Sequence, residues 1–370
     1  MYLHGTSRIN AEGRLEIGGV DVQLLAAEFG TPLYIIDETL VRQRMREFMD
    51  AFRETGVPFQ VAYASKAFCT MAICAVAEQE GLSLDVVSGG ELHTALKAGF
   101  PAKRIHFHGN NKTPEEIALA LDAEIGCFVV DNFVELELLD AMAGERGKRV
   151  NILLRITPGV EAHTHDYIST GQQDSKFGFD LGGGAAFEAV KRASAKPNLE
   201  LLGIHSHIGS QIFEVEGFRL AAAKAAEFAI KVRDELGILF QVINLGGGFG
   251  IRYTAEDKPL PIATYVNAIA DAVRTNFTAA GYPLPEIWIE PGRSIIGDAG
   301  TTLYTVGTLK DMPGIRKYVA VDGGMTDNPR PALYGSKYEA ALANRMNEPA
   351  TEKVSIAGKC CESGDMLIWD

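Results

Sequence analysis

Lys66 has the surroundings that most favour covalent chemistry in this chain. It ends the segment Val61-Ala-Tyr-Ala-Ser-Lys66, in which apolar residues give way to small ones. A lysine at the end of a buried strand loses solvation, so its pKa falls and its free amine becomes a nucleophile toward carbonyl groups. The alternative is a solvated lysine at the start of a loop, which is the usual environment of this residue type.

A glycine loop at residues 246–250, Gly-Gly-Gly-Phe-Gly, follows a stretch that we predict to be a strand. Without Cβ atoms, the N–H groups of residues such as Gly247 and Gly248 can converge on an anion. A tight turn is the alternative for an isolated glycine run. Ser210 and Arg293 end neighbouring predicted strands, which favours phosphate binding at this loop. We interpret a second glycine run, at 182–184, as a hinge or a helix entry.

The segment Glu290-Pro-Gly-Arg293 ends another predicted strand and supplies a carboxylate. Such a carboxylate can keep a ring nitrogen protonated, whereas the alternative is a surface ion pair with Arg293. A nucleophilic lysine, a phosphate-binding loop and a carboxylate directed at a ring nitrogen are the parts that pyridoxal 5'-phosphate (PLP) chemistry requires. We therefore predict PLP as the cofactor.

Three His-x-His pairs, at 106/108, 163/165 and 205/207, raise the alternative of a metal-dependent barrel hydrolase. A metal site needs further ligands that converge around an open coordination position. It would also leave Lys66 and the glycine loop without a role. We therefore predict no metal site, and we expect one of these imidazoles to stack on a flat cofactor.

Composition excludes several classes of function. The chain has 370 residues, a net charge of -13 and a pI of about 5.2, which argues against nucleic acid or a membrane surface as a partner. We find no apolar run long enough to span a bilayer and no secretory signal pattern at the N-terminus. The cysteines have no framework spacing, so we expect reduced thiols in a cytoplasmic protein. They are Cys69, Cys74, Cys127, Cys360 and Cys361.

Strands and helices alternate over most of the chain and must position these residues. Eight strand-like runs predict an α/β protein with a (β/α)8 TIM-type barrel over residues 37–285, and a doubly wound open sheet is the alternative. Active-site residues of such barrels lie at the carboxyl ends of the strands. The predicted strands are 59–63, 82–87, 104–108, 127–130, 150–156, 201–205, 241–245 and 287–290. At or just beyond their ends lie Lys66, Asp85, Ser88, His108, Asp131, Arg155, His205, His207, Ser210, Glu290 and Arg293.

Residues 1–36 and 286–370 lack this alternation and predict a smaller antiparallel β domain. We expect its strands at 302–308, 317–321 and 352–357. Because the chain stops at residue 370 inside a strand-like run, we expect the natural polypeptide to continue. The connection 157–184 is unusually long, and its residues His163, His165 and Asp166 indicate a lid or a substrate loop.

Seven motifs follow one another in this chain and cover nearly all of it. They are Tyr63-Ala-Ser-Lys66, the segment 165–178 ending in Ser175-Lys-Phe-Gly178, His205-Ser-His-Ile-Gly-Ser-Gln211, the glycine loop, Glu290-Pro-Gly-Arg293, the segment 322–334 ending in Arg330-Pro-Ala-Leu-Tyr334, and Cys361-Glu-Ser-Gly-Asp365. In this order they resemble the fold type III PLP-dependent decarboxylases, most closely the branch that acts on meso-diaminopimelate. Members of that family continue past the last motif.

The resemblance implies how PLP would be held. Lys66 would carry the cofactor as a Schiff base, His207 would stack on its ring, and Glu290 would face the pyridine nitrogen. The phosphate would be bound by Ser210, Gly247, Gly248, Gly292 and Arg293. Asp85 and Arg155, at the ends of their predicted strands, are further candidates for cofactor contacts.

The resemblance also implies the reaction, which is decarboxylation of meso-2,6-diaminopimelate to L-lysine and CO2, the last step of lysine biosynthesis. Arg293, Arg330, Tyr334 and Glu362 would bind the substrate, and Cys361 or the freed Lys66 would act as the acid. Cys361 and Glu362 would come from the partner subunit of a homodimer with shared active sites.

Other functions stay open at this point. A relative acting on arginine, ornithine or carboxynorspermidine is the main alternative, and a racemase on the same barrel fits the C-terminal motifs less well. A catalytically inactive homologue is a further alternative. It would have no reason to keep Lys66, Glu290 and Cys361 together.

Overall fold

The computed structural model describes residues 2–160 and 175–369. Half of the predicted lid at 157–184, residues 161–174, therefore falls outside the described residues, together with His163, His165 and Asp166. Contacts between Cα atoms divide the chain into two compact units. The barrel unit comprises residues 42–250 and 259–295, and the β unit comprises residues 1–41, 251–258 and 296–370.

Eighteen strands, numbered in chain order, form the sheets of the described residues. They are β1 (Arg8–Ile9), β2 (Leu15–Ile17), β3 (Val20–Asp21), β4 (Leu33–Ile36), β5 (Phe59–Ala64), β6 (Ser83–Val86), β7 (Ile105–Phe107), β8 (Cys127–Val130), β9 (Val150–Thr157), β10 (Phe179–Asp180), β11 (Leu199–His205), β12 (Val242–Asn244), β13 (Glu286–Ile289), β14 (Gly300–Leu303), β15 (Val306–Met312), β16 (Arg316–Val321), β17 (Ser355–Ala357) and β18 (Met366–Ile368).

Eleven α-helices accompany these strands within the described residues. They are α1 (Val22–Phe29), α2 (Glu38–Thr55), α3 (Met71–Gln79), α4 (Gly89–Lys97), α5 (Pro114–Ala123), α6 (Phe133–Glu145), α7 (Ala185–Ser194), α8 (Glu216–Leu236), α9 (Ile262–Ala279), α10 (Arg293–Ile296) and α11 (Arg330–Tyr334). No helix among the described residues is both long and apolar enough to cross a membrane.

The barrel unit is a closed parallel sheet, which confirms the predicted (β/α)8 barrel. Its strands follow the order β5-β6-β7-β8-β9-β11-β12-β13, and β13 pairs with β5 to close the ring. This closure rules out the doubly wound open sheet. Strands β6 and β8 are buried along their whole length, as expected for parallel strands covered by helices. The short strand β10 extends the sheet beside β9.

The β unit joins the N-terminal segment to the C-terminal part, as predicted. Strand β4 pairs antiparallel with β14, and a small core gathers Leu15, Ile17 and Val22 beside Leu303. A four-stranded sheet has the order β15-β16-β17-β18, in which only the β16–β17 contact is parallel. The predicted domain boundaries, 37–285 against 1–36 and 286–370, stay a prediction. Strand β13, on the far side of the predicted boundary, lies in the barrel sheet.

The prediction of one strand at 302–308 was wrong. The structure has two strands there, β14 and β15, separated by Tyr304 and Thr305. They belong to different sheets, because β14 pairs with β4 and β15 pairs with β16. The chain must break its extended course to pass from one sheet to the other.

Candidate active site

A layer of polar side chains lies at the carboxyl ends of the barrel strands. Side chains two residues apart lie on the same face of a strand. Each polar residue therefore shares a face with the residue two positions earlier, and these earlier residues form a second layer. The pairs are Val242 and Asn244, Trp288 and Glu290, Val129 and Asp131, Leu153 and Arg155, and His106 and His108. All of these residues are buried, and Val242, Trp288, Val129 and Leu153 form one apolar cluster. The barrel therefore carries a mainly apolar layer, which also contains His106, capped by a polar one.

Glu290 lies in this polar layer with both carboxylate oxygens occupied. Asn244 Nδ2 donates to Oε1 at 2.6 Å, and His108 Nε2 lies 3.0 Å from the same oxygen. His205 Nε2 lies 3.1 Å from Oε2. Burial alone would raise the pKa of Glu290, but the two imidazoles hold that pKa well below its usual range. Glu290 is thus a buried carboxylate kept ionised, which excludes the alternative of a surface ion pair.

The glycine loop follows β12 and passes close to two neighbouring segments. Gly246 has φ +69°, and a Cβ there would lie 2.6 Å from the Ser206 carbonyl oxygen. A Cβ on Gly247 would overlap the carbonyl oxygen of Glu290, and Gly248 has φ +103°. Only glycine satisfies both the backbone angles and the close approach. The loop is therefore built without side chains next to Glu290.

His207 lies against this loop as a half-buried neutral ring. Its Nδ1 accepts a hydrogen bond from the Gly247 N–H at 3.2 Å. Burial, followed by the positive charges of Lys66 and Arg155, holds the pKa of His207 well below its usual range. A neutral imidazole with Nδ1 as acceptor carries its proton on Nε2. This flat uncharged ring matches the predicted stacking role.

Lys66 lies in a single 3-10 turn, Ser65–Ala67, immediately after β5. Its charge is close enough to lower the pKa of His205 and His207, after the larger effect of burial on each. The expected loss of solvation at Lys66 is not observed, because the residue is exposed in the described chain. The strand ends at Ala64, so Lys66 lies beyond the buried ladder rather than inside it.

Asp85 and Arg155 bring opposite charges into the same layer. Burial raises the pKa of Asp85 to about 6, although the nearby His108 acts in the opposite direction. Burial also lowers the pKa of Arg155. Its guanidinium lies 4.2 Å from the ring centre of Phe177, in the described end of the long connection. Both residues are therefore buried within the electrostatic reach of Glu290, and their predicted contacts with the cofactor stay a prediction.

Some of the residues that we predicted to bind the phosphate lie close to one another in the structure. Arg293 begins α10, and its Nη2 and Nε donate to Ser210 Oγ at 3.1 and 3.3 Å. Gly292 is packed so that a Cβ would lie 3.0 Å from the Cβ and carbonyl oxygen of Ala64. This contact joins the ends of β13 and β5, the strands that carry Glu290 and Lys66.

Sequence reasoning did not select His108, His205 and Asn244 as site residues. His108 and His205 were noted as strand ends, and both turn out to contact Glu290. Asn244 gave one signal, which is a polar side chain inside an otherwise apolar strand, two residues before Gly246. The pairing of these residues with Glu290 depends on the closed barrel, so no local pattern could show it.

The predicted substrate residues Arg330, Tyr334, Cys361 and Glu362 belong to the β unit. Arg330 begins α11, which Tyr334 ends, and Tyr334 is 46% exposed. Cys361 and Glu362 are exposed in the described chain. The Glu362 carboxylate accepts hydrogen bonds from Ser363 and the Gly364 N–H, each at 3.3 Å.

A metal remains the chemical alternative at one cluster. Ligand atoms of His108, His205 and Glu290 lie within 4.8 Å of one another. A hydrogen bond from His205 and an ion-pair contact from His108 to the carboxylate explain the cluster without an ion. The predicted absence of a metal stays a prediction.

The residues present fit PLP on two observations. The glycine loop lies beside Glu290 without side chains, because a Cβ at Gly247 would overlap the carbonyl oxygen of Glu290 and a Cβ at Gly248 would overlap that of Gly209. The donor set on Glu290 keeps a buried carboxylate charged, as a protonated pyridine nitrogen requires of its partner. Lys66, which could link covalently to the cofactor, follows the strand beside β13.

Comparisons with known proteins agree with this geometry. The family described as "Pyridoxal-dependent decarboxylase, pyridoxal binding domain" matches residues 38–297. Diaminopimelate decarboxylase of Bacillus subtilis (strain 168) is 61% identical over 370 residues, covering 100% of this chain and 84% of that protein. The Staphylococcus aureus (strain COL) enzyme of the same name is 48% identical, covering 99% of this chain and 85% of that protein.

Comparison with a solved structure indicates the same family as the sequence comparisons. Diaminopimelate decarboxylase from M. jannaschii in co-complex with L-lysine superposes with a TM-score of 0.90 at 38% identity. The match covers 98% of this chain and 82% of that one. The chain belongs to the PLP-dependent decarboxylases, in the family of the diaminopimelate decarboxylases.

Proposed function

We propose that this chain decarboxylates meso-2,6-diaminopimelate to L-lysine and CO2 with bound PLP. The observation that carries the chemistry is the buried, ionised Glu290 on β13 beside the strand that leads to Lys66. The choice of substrate is supported by the names of relatives that are 59–61% identical over the whole chain. In a lysine-producing organism this reaction would complete lysine biosynthesis.

PLP, when bound, supplies an electron sink for the electron pair released as the carboxylate leaves. In our proposal Lys66 would hold the cofactor covalently. Glu290 would accept a hydrogen bond from the protonated pyridine nitrogen, and His207 would cover one face of the ring. The phosphate would be bound by Ser210, Gly247, Gly248, Gly292 and Arg293. Asp85 and Arg155 would supply further buried charges in the cofactor site.

Substrate recognition in this proposal relies on cations and on one acid. Arg293, Arg330 and Tyr334 bind the carboxylates, since guanidinium groups match carboxylates in a two-point geometry. Glu362 binds the ammonium group of the end that does not react. The exposed thiol of Cys361 donates the proton that replaces the lost carboxylate.

We further propose that two copies share their active sites. Cys361 and Glu362 are exposed in the described chain, which leaves them accessible to a second copy. The proposed assembly is a homodimer in which these two residues serve the partner subunit. A net charge of -13 supports a small-molecule enzyme rather than a binder of nucleic acid or membranes, and the cysteines without framework spacing support a cytoplasmic location.

The test begins with the absorbance spectrum of the purified protein supplied with PLP, before and after borohydride. We expect a visible band that disappears on reduction and a stable PLP adduct on Lys66 in the peptide digest. Lys66→Ala should show neither, whereas Lys103→Ala, a control at an exposed ion pair with Glu124, should match the parent protein.

Product analysis then identifies the substrate. With meso-diaminopimelate we expect equal amounts of CO2 and L-lysine, and at most trace release from arginine, ornithine or carboxynorspermidine. Faster turnover of one of those three would replace the proposed substrate while keeping the chemistry. A protein that binds PLP on Lys66 and releases no CO2 from any of the four would be an inactive homologue.

A further inference from the structure

We propose that His108 and His205, assisted by Asn244, are positioning residues that fix the Glu290 carboxylate in the state and orientation needed to keep the pyridine nitrogen of PLP protonated. The inference rests on the proposed function, because it assigns Glu290 to that nitrogen. It adds residues that the family motifs of this chain do not single out as cofactor ligands.

The first argument is the number of nitrogen atoms around one carboxylate. Glu290 is hydrogen-bonded to Asn244 Nδ2 at 2.6 Å and to His205 Nε2 at 3.1 Å, and His108 Nε2 lies at an ion-pair distance of 3.0 Å. His205 approaches through Nε2 and must carry its proton there in order to donate. These contacts on both oxygens fix the plane of the carboxylate as well as its charge.

The second argument is the cost of burial. All three side chains around Glu290 are themselves buried, and an isolated ionised carboxylate in such a place would protonate instead. A protonated Glu290 would have no negative charge with which to keep the pyridine nitrogen protonated. The side chains around Glu290 therefore keep its carboxylate ionised, as its proposed role requires.

The third argument is the presence of a second carboxylate. Asp85 Oδ1 lies 3.7 Å from His108 Nε2, compared with 3.0 Å for the Glu290 oxygen. The pKa of Asp85 is raised to about 6, while that of Glu290 is held well below its usual range. His108 therefore lies between two buried acids and favours the charge on Glu290.

A merely structural role for these histidines makes a different prediction, and His106 supplies the control. It is on the same strand and buried, and its ring stacks on Trp288 at 4.4 Å between centroids. Among the described residues it makes no hydrogen bond to Glu290. If packing alone matters, His106→Phe should disturb the cofactor site as much as His108→Phe.

The experiment measures the cofactor rather than turnover. PLP labelled with 15N in its ring is bound to the parent protein and to His108→Phe, His205→Phe, His205→Asn and His106→Phe. The PLP dissociation constant is determined by titration, and the 15N chemical shift reports whether the ring nitrogen is protonated. Loss of the hydrogen bond from His205, or of the close polar contact of His108, to a charged group predicts a dissociation constant raised roughly tenfold or more in each Phe variant.

We expect those two variants to move the 15N shift toward the unprotonated value. His205→Asn, which keeps an N–H donor, should restore most of both signals, and His106→Phe should match the parent. If the Phe variants melt at a lower temperature than the parent, the test compares His205→Asn with His205→Leu instead. These two variants are compared at equal stability, by their PLP affinity and their 15N shift.

Three results would overturn the inference. Parent-like PLP affinity and a protonated nitrogen in both Phe variants would do so while leaving the proposed function intact. One equivalent of tightly bound Zn²⁺ in the parent, lost in His108→Phe, would assign the cluster to a metal. Failure of the parent protein itself to bind PLP on Lys66 would reject the proposed function together with the inference.

Discussion

The guanidinium of Arg330 donates a hydrogen bond to the Tyr253 hydroxyl at 2.6 Å. Its other terminal nitrogen, Nη2, donates to Ser336 Oγ at 3.1 Å, and its Cζ lies 5.0 Å from the centre of the Tyr253 ring. Within residues 2–160 and 175–369 no carboxylate pairs with this arginine. Two neutral hydroxyls thus hold the cation in place while its charge remains available to an anion.

Tyr253→Phe should therefore weaken substrate binding more than it slows the chemical step. Removing the hydroxyl keeps the ring contact but frees one end of the guanidinium, so we expect KM for diaminopimelate to rise about tenfold with a smaller change in kcat. Steady-state kinetics provides the measurement. Tyr338→Phe is the control, because Tyr338 packs edge-on against Tyr253 without a hydrogen bond to Arg330. Equal KM values for the two variants would contradict the prediction.

Gly247→Ala should disrupt the glycine loop, because the new Cβ would overlap the Glu290 carbonyl oxygen. Overpacking of this kind costs about 1–3 kcal/mol of folding free energy, and here it also displaces Glu290. We expect a lower melting temperature and PLP affinity reduced by at least tenfold. The matched control is Gly90→Ala in α4, whose Cβ would have its nearest neighbour, Ser88 Oγ, at 3.8 Å. A Gly247→Ala protein that binds PLP like this control would refute the argument.

Local signals in the sequence predicted the elements well. Thr113 and Glu116 at the start of α5 form a reciprocal capping box with hydrogen bonds of 3.2 and 2.9 Å. Such a box depends on residues three positions apart, so it is visible in the sequence. The barrel followed from the repeated alternation of eight strands with helices, and closure of the sheet confirmed it.

Long-range relationships were beyond the reach of the sequence. His108 and His205 contact Glu290 because non-adjacent strands, β7, β11 and β13, end at the same height in the barrel. Only the register of the barrel strands determines this height. The exposure of Lys66 depends on where β5 ends, and strand ends are poorly marked by composition. The division of 302–308 into β14 and β15 reflects a change of sheet that leaves no turn signal such as glycine or proline.

Lys112 and Glu135 form a buried ion pair whose disruption should strongly destabilise the barrel unit. Lys112 Nζ donates to Glu135 Oε1 at 2.7 Å and to the carbonyls of Val129 and Gly109 at 2.8 and 3.0 Å. Lys112→Met would leave a buried carboxylate without its cation, at a cost of about 3–5 kcal/mol. Urea unfolding measures the free energy.

Two comparisons make this prediction specific. The double variant Lys112→Met with Glu135→Gln should recover part of the loss, because the amide removes the unpaired charge. Lys224→Met breaks an exposed pair with Glu227 on α8 and should change the free energy of unfolding by less than about 1 kcal/mol. If Lys112→Met cost no more than Lys224→Met, the buried pair would not stabilise the fold.

Asp85→Asn should stabilise the protein without bound PLP, and the gain should depend on pH. Burial raises the pKa of Asp85 to about 6, with His108, Glu290, Lys66 and Glu91 as its charged neighbours. In the unfolded chain the pKa of an aspartate is about 3.9, so the folded state binds this proton more tightly. Stability from this group is therefore greatest below about pH 4 and is lost as the pH rises through about 6.

At pH 8 the folded protein contains a buried charge that asparagine does not have. We expect Asp85→Asn to be more stable than the parent there, by on the order of 2 kcal/mol, with the difference shrinking toward pH 5. Urea titrations at pH 5 and 8 measure this difference. Asp50→Asn, at an exposed side chain of α2, should show the same free energy as the parent at both values. A larger gain at pH 5 than at pH 8 would mean that Asp85 is stabilised as a carboxylate in the folded protein, because its positive neighbours outweigh burial.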